Sequence, residues 1–99
     1  MYRHGDLLIV RRESIPENLR VRESCVLAEG EATGHAHRVR GGATVLEDDK
    51  GLTYVRVTEE GAVVTHEEHA PITLPPGEYE VVRQREFDPF EQATRKVAD

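Results

Sequence analysis

Four of the chain's five histidines fall into two tight clusters, and imidazole in pairs is chemistry waiting for an ion. His35 and His37 sit in Thr33-Gly34-His35-Ala36-His37-Arg38, while His66 and His69 bracket two acids in Thr65-His66-Glu67-Glu68-His69. Neutral imidazole is the commonest side-chain ligand for transition metals, and two pairs can fill one coordination sphere. A nitrogen-rich sphere suits Zn, Ni, Fe or Cu about equally, so the expected cofactor is a divalent transition metal of open identity. Soft sulfur is unavailable except from Cys25.

Residues two apart on a strand point the same way, which lets His35 and His37 grip a common ion without contorting the backbone. The same period places Val39 beside them, with Ala36, Arg38 and Arg40 on the opposite, wet face. Inward imidazoles need partners, because a buried polar group left unpaired costs on the order of 1–3 kcal/mol. A metal satisfies both rings at once; the plainer alternative is that each ring bonds a carbonyl or carboxylate and packs.

His66 and His69 are three apart, so a straight strand would send them to opposite sides. A bulge or turn at Glu67-Glu68 would bring both to one ion, and Pro71 supports a break there. Otherwise one of the two binds alone, and His69, which precedes an apparent strand, is the preferred one. Glu67 or Glu68 would then complete the sphere or orient a water. The candidate ligands are therefore His35, His37, His69 and His66, and the candidate proton-handling groups are His66, Glu67 and Glu68.

These residues admit three kinds of function. Three imidazoles with an open position make a Lewis-acidic site for a small-molecule substrate, whereas four in a closed sphere make a structural ion. Metal-free acid–base cleavage of a phosphodiester, as in a ribonuclease, is the second reading, with Arg38, Arg83 or Tyr79 on the phosphate. A non-catalytic binding or assembly module, self-associating as a homodimer through sheet edges, is the third.

The elements that must position these side chains are short. Ninety-nine residues make one domain with a single lean core, at 37% hydrophobic and 32% charged. A net charge of -6 opposes broad attraction to nucleic acid, although the pairs Arg11-Arg12, Arg20 with Arg22, Arg38 with Arg40, and Arg83 with Arg85 offer a local patch. A lone cysteine in so small a domain favours a reducing, cytoplasmic setting, and no apolar run approaches the ~20 residues a membrane helix needs.

Apolar runs broken by turn residues predict about eight short antiparallel strands: 7–10, 20–28, 35–40, 43–47, 52–58, 62–66, 70–74 and 78–85. Gly41-Gly42, Asp48-Asp49-Lys50-Gly51, Glu59-Glu60-Gly61 and Pro75-Pro76-Gly77 read as the turns between consecutive strands. The expected fold is all-β, a single small barrel or sandwich over 1–87, with a short C-terminal tail over 88–99 pinned by Phe87 and Phe90.

Two of these segments resemble motifs of the cupin superfamily, small β-barrels with a metal inside. Gly34-His35-Ala36-His37 is similar to the first motif's His-x-His, and Ile72-Thr73-Leu74-Pro75-Pro76-Gly77 to the apolar strand and Pro-x-Gly turn of the second. Together they touch under half of the chain. The resemblance implies a barrel-held metal, but a glutamate ligand would fall where Gly41 stands, and a histidine where Glu80 stands. The ligands available here lie upstream instead, at His66 and His69.

The remaining residues take structural roles in this reading. His4 is expected at the surface near a mobile terminus, Asp6 to stabilise its own turn, and Cys25 to be buried packing. Tyr54 and Tyr79 read as core or rim, and Glu80 as a solvent-facing strand glutamate.

Overall fold

The computed structural model describes residues 1–29 and 34–83. Eight strands run in the order β1 (Tyr2–His4), β2 (Leu7–Arg12), β3 (Arg20–Arg22), β4 (Val26–Glu29), β5 (Ala36–Glu47), β6 (Thr53–Thr65), β7 (Ile72–Leu74) and β8 (Gly77–Arg83). Every pairing among them is antiparallel, within one open sheet of order β1-β2-β8-β6-β5-β3, and β4 and β7 add to the far halves of β5 and β6. The all-β expectation holds. The expected tail lies outside the described residues.

The segmentation differs from the sequence reading in an instructive way. Gly41-Gly42 and Glu59-Glu60-Gly61 do not separate hairpins: β5 and β6 are each one long strand that runs through them. Gly41 pairs Ala62 while Ala43 pairs Val57, so one residue of β5 stands opposite four of β6. This is an enlarged bulge, and bulges bend a sheet. Glycine is required there, because Gly41 and Gly61 have φ of 101° and 74°, and a Cβ on Gly41 would come 2.8 Å from the Gly61 carbonyl oxygen. Conversely, the expected strand 20–28 divides into β3 and β4, and the segment before Gly5 supplies an extra strand, β1.

The bend folds the sheet around one core. Leu27, Val39, Ala62, Val64 and Leu74 from the half that carries β4 and β7 share a cluster with Leu7, Ile9, Val45, Val55, Val57, Tyr79 and Val81 from the other half. Tyr79 lies wholly inside, its hydroxyl donating to the Pro75 carbonyl at 2.6 Å. On the opposite face, Ile15 and Leu19 of the β2–β3 loop cover Leu46 and Tyr54, which are cross-strand partners. Cys25, expected in the core, is exposed instead: it lies between β3 and β4, its carbonyl accepting the Val39 amide of β5 while its side chain is left in solvent.

The outer faces carry paired charges. Arg12 bonds Glu80, Arg20 and Arg22 share Glu47, Arg56 meets Glu78, and Arg38 meets Glu67. These carboxylates temper the arginine pairs, and such exposed ion pairs contribute about 0–1 kcal/mol each. Among the described residues no helix is long and apolar enough to cross a membrane.

Candidate metal centre

The folded sheet brings three chain segments to one end: the β1–β2 turn, the entry to β5, and the loop from β6 to β7. In the first, His4 pairs with Leu7 across a two-residue turn. Gly5 has φ of 64° and no non-glycine residue has positive φ, which are the signs of a type II′ turn. Leu7 is a core residue, and directly paired residues share a face, so His4 must point inward. It is 2% exposed. The surface position expected for it is wrong, because the terminus is held in a ladder rather than fraying.

His4 lies in a relay. Its Nε2 is 3.0 Å from the Ala70 carbonyl oxygen, and its Nδ1 is 2.9 Å from Nδ1 of His37, itself 2% exposed. His37 Nε2 in turn lies 3.2 Å from Asp6 Oδ1. Three contacts in series need three protons, since neither the carbonyl nor the carboxylate donates. Two neutral rings provide two. If His4 donates to Ala70 and His37 donates to His4, then Nε2 of His37 turns a lone pair toward Asp6. Burial, reinforced by the charges of His66 and His4 and opposed by Asp6, pushes His37 down to about 4. Burial likewise lowers His4, against the pull of the Ala70 carbonyl. Near neutral pH both rings are therefore neutral, the form that binds metals.

Asp6 does more than hold its turn. It faces His37 through Oδ1, and Oδ2 lies 3.4 Å from Arg83 Nε, a buried atom without a hydrogen bond of its own. Arg83 also donates to the Glu29 carbonyl, which ties β8 to β4 across the opening of the sheet.

The second pair is carried by the bend that follows β6. Glu67 clamps it to β5: Oε1 accepts the Ala36 amide at 2.9 Å and Oε2 accepts Arg38 at 2.9 Å. Those two bonds hold the Glu67 carboxyl down to about 2. Glu68 donates its amide to His66 Nδ1 at 2.9 Å, and its carboxylate lies 3.4 Å from His35 Nδ1. The rings of His66 and His69 are 4.7 Å apart between centroids, so the bend turns both toward the same region.

The other rings meet them there. His66 is 4.4 Å from His37, 5.7 Å from His35 and 6.4 Å from His4 between centroids, and His69 is 5.7 Å from His4. His35, His66 and Glu67 each present a ligand atom within 4.8 Å of the others. All four histidines singled out in the sequence are gathered, and His4 and Asp6 join them. Two details of the sequence reading need correction. His35 precedes β5 and is half-buried rather than inward, and Ala36, assigned to the wet face, is buried under Glu67. Glu80, the position the cupin resemblance draws on, pairs with Arg12 and takes no part in the cluster.

Residues 3–84 match the family described as "Domain of unknown function (DUF8820)", a span that contains every residue of the cluster. The chain belongs to this family. No curated protein matches it, and no solved structure does.

Proposed function

We propose that the chain is a divalent-transition-metal-binding β-domain whose ion is held by His35, His66 and Glu67, with the remaining rings beside it. One observation carries this reading: three donors of metal-binding type, supplied by the entry to β5 and the bend after β6, lie within 4.8 Å of one another. Two imidazoles and a carboxylate are a common catalytic ligand set for zinc and leave a fourth position open. The same set suits Ni, Fe or Cu, so the metal's identity is decided by supply and geometry.

Solvent reaches the site from one side. His35 and His66 are half-buried, whereas His69, Glu67 and Glu68 are exposed. A small-molecule substrate can thus approach an ion seated there. Such an ion supplies Lewis acidity and a water of lowered pKa; His69 and Glu68 stand near enough to the ligands to hold or pass a proton. Glu67 is already ionised near neutral pH, so it needs no deprotonation on binding. The lone cysteine supports placing this chemistry in a reducing, cytoplasmic setting.

The test is metal analysis of tag-free protein. Co-purification of a transition metal, or its uptake by chelator-stripped protein with micromolar or tighter affinity, is the expected result, and His66→Ala should weaken uptake at least tenfold with the β-sheet circular dichroism retained. Wild-type protein that takes up no transition metal under these conditions overturns the reading.

A further inference from the structure

Glu67 belongs to an arginine as well as to the ligand set. Its Oε2 accepts Arg38 Nη1 at 2.9 Å, the single hydrogen bond that the Arg38 guanidinium makes among the described residues. A guanidinium carries five N–H donors in a planar fork, and Arg38 is only half-buried, so most of that fork stays available. The charges decide what it can receive. Imidazole binds a metal as the neutral ring, and Glu67 and Arg38 cancel one another. A divalent ion on His35, His66 and Glu67 therefore adds positive charge that nothing in the ligand set offsets.

The strand face alongside is basic too. Arg40 lies two residues further along β5, on the same face as Arg38. Directly paired residues share a face. Those opposite the two arginines are Thr65 and Val63 of β6 and Val26 of β4, and Thr73 of β7 stands opposite Val63. None is acidic. Arg12, Arg20, Arg22 and Arg56 each meet a glutamate, whereas Arg40 is exposed and has no ion pair among the described residues. Glu60 lies over Gly42, two positions along, without pairing to Arg40. Glu68 brings one negative charge to His35 at 3.4 Å, and Arg40 matches it.

We propose that the substrate of the metal centre is a small molecule bearing an oxyanion, a carboxylate or a phosphate, held between the ion's open position and Arg38, with Arg40 strengthening the local field. This assignment rests on the metal-binding reading given above and names what that site accepts. A ligand oxygen sits about 2.0–2.2 Å from its ion, and Oε2 is 2.9 Å from the guanidinium nitrogen. The ion and Arg38 are thus no more than about 5 Å apart when Oε2 ligates. One oxyanion reaches both, placing one oxygen on the ion and another on the fork that suits planar and tetrahedral oxyanions alike. The chain as a whole carries a net charge of -6, so the attraction is local to this face.

Tag-free full-length protein, stripped with chelator and loaded with Co2+, is titrated with inorganic phosphate or with acetate and followed by the cobalt visible spectrum and calorimetry. Saturable binding of at least one anion is expected, about tenfold or more tighter than to the stripped protein. Arg40→Gln should keep its cobalt and lose about threefold in anion affinity, as an exposed charge does. Arg38→Gln, which also releases Glu67, should lose about tenfold or more, and Arg38→Lys should recover part of the loss. Phosphate binding with acetate silent assigns a phosphate-bearing substrate, and the reverse assigns a carboxylate. Cobalt-loaded protein that binds neither anion, or unchanged anion affinity in either glutamine variant, overturns the oxyanion assignment and leaves the metal-binding reading standing. Protein that takes up no cobalt overturns both.

Discussion

His4 Nδ1 and His37 Nδ1 face each other at 2.9 Å, joining residues 33 positions apart through a pair of nitrogens that water does not reach. The contact links the first strand of the sheet to the fifth, which are separated by three strands in the sheet order. It is a latch across the fold as well as part of the site. Removing it should therefore be felt in stability before it is felt in chemistry.

His4→Ala leaves the His37 Nδ1 group and the Ala70 carbonyl without their partner and opens a cavity under β1. The expected loss is about 2–4 kcal/mol of unfolding free energy, combining unpaired buried groups with lost packing. His35→Ala, at a half-buried position before β5, should cost under about 1 kcal/mol. Urea denaturation of the two variants side by side tests the contrast; equal losses would contradict the latch.

Gly5→Ala acts twice. It puts a side chain at φ of 64°, costing about 1 kcal/mol, and it drives a methyl group into His69 Nε2 and His37 Cε1. The sheet should persist while transition-metal affinity falls several-fold, because both displaced rings lie against His66, a proposed ligand. Calorimetric titration beside a circular dichroism spectrum measures both, and unchanged affinity would show that the rings do not need that approach.

The metal-free protein should lose stability in mild acid. The folded His37 titrates near 4 and an unfolded histidine near 6.5, so between these values the unfolded chain holds the extra proton. The ring's contribution is intact above pH 6.5 and is lost as pH falls to about 4, at up to ~1.4 kcal/mol per pH unit. Glu67, held down to about 2, adds its own loss only below about 4.5. Denaturation midpoints in chelator from pH 7.5 to 4.5 should slope downward, and His37→Gln should flatten the slope.

Metal binding should release one backbone amide. Glu68 N–H now donates to His66 Nδ1. If the ion takes Nδ1, the lone pair is consumed; if it takes Nε2, the ring proton moves to Nδ1. Either way the amide loses its acceptor. The Glu68 resonance should shift and exchange faster on adding Zn2+, and a Glu68 amide indifferent to saturating metal would exclude His66 as a ligand.

Metal loading should raise stability, and chelation should undo the gain. Ions bound only to the folded state stabilise it by mass action, about 2.7 kcal/mol at a hundredfold excess over Kd. Thermal unfolding should accordingly shift upward with Zn2+ and return with chelator, and His66→Ala should shift less than the wild type.

How much of this was written in local sequence differs by residue. The apolar run Leu7-Leu8-Ile9-Val10 after Gly5-Asp6 marked a strand, and the His-x-His and His-Glu-Glu-His spacings marked candidate ligands, because side-chain chemistry and strand period are properties of neighbouring residues. Even the inward turn of His4 was legible in principle: a two-residue Gly5-Asp6 turn sets it opposite Leu7, and paired residues share a face. Gly41-Gly42 and Glu59-Glu60-Gly61 announced broken pairing correctly, but a turn and a bulge draw on the same residues, so composition could not separate two hairpins from one bent one.

Sequence alone thus determined the all-β class, the charge and where histidines cluster along the chain. Only the tertiary structure decided that His4 and Asp6 belong with the other histidines. That meeting depends on the bend at Gly41 and Gly61, which brings β1 over the entry to β5. Periodicity fixes which way a residue faces from its own strand; which distant strand comes to stand opposite is set by how the whole sheet closes on its core.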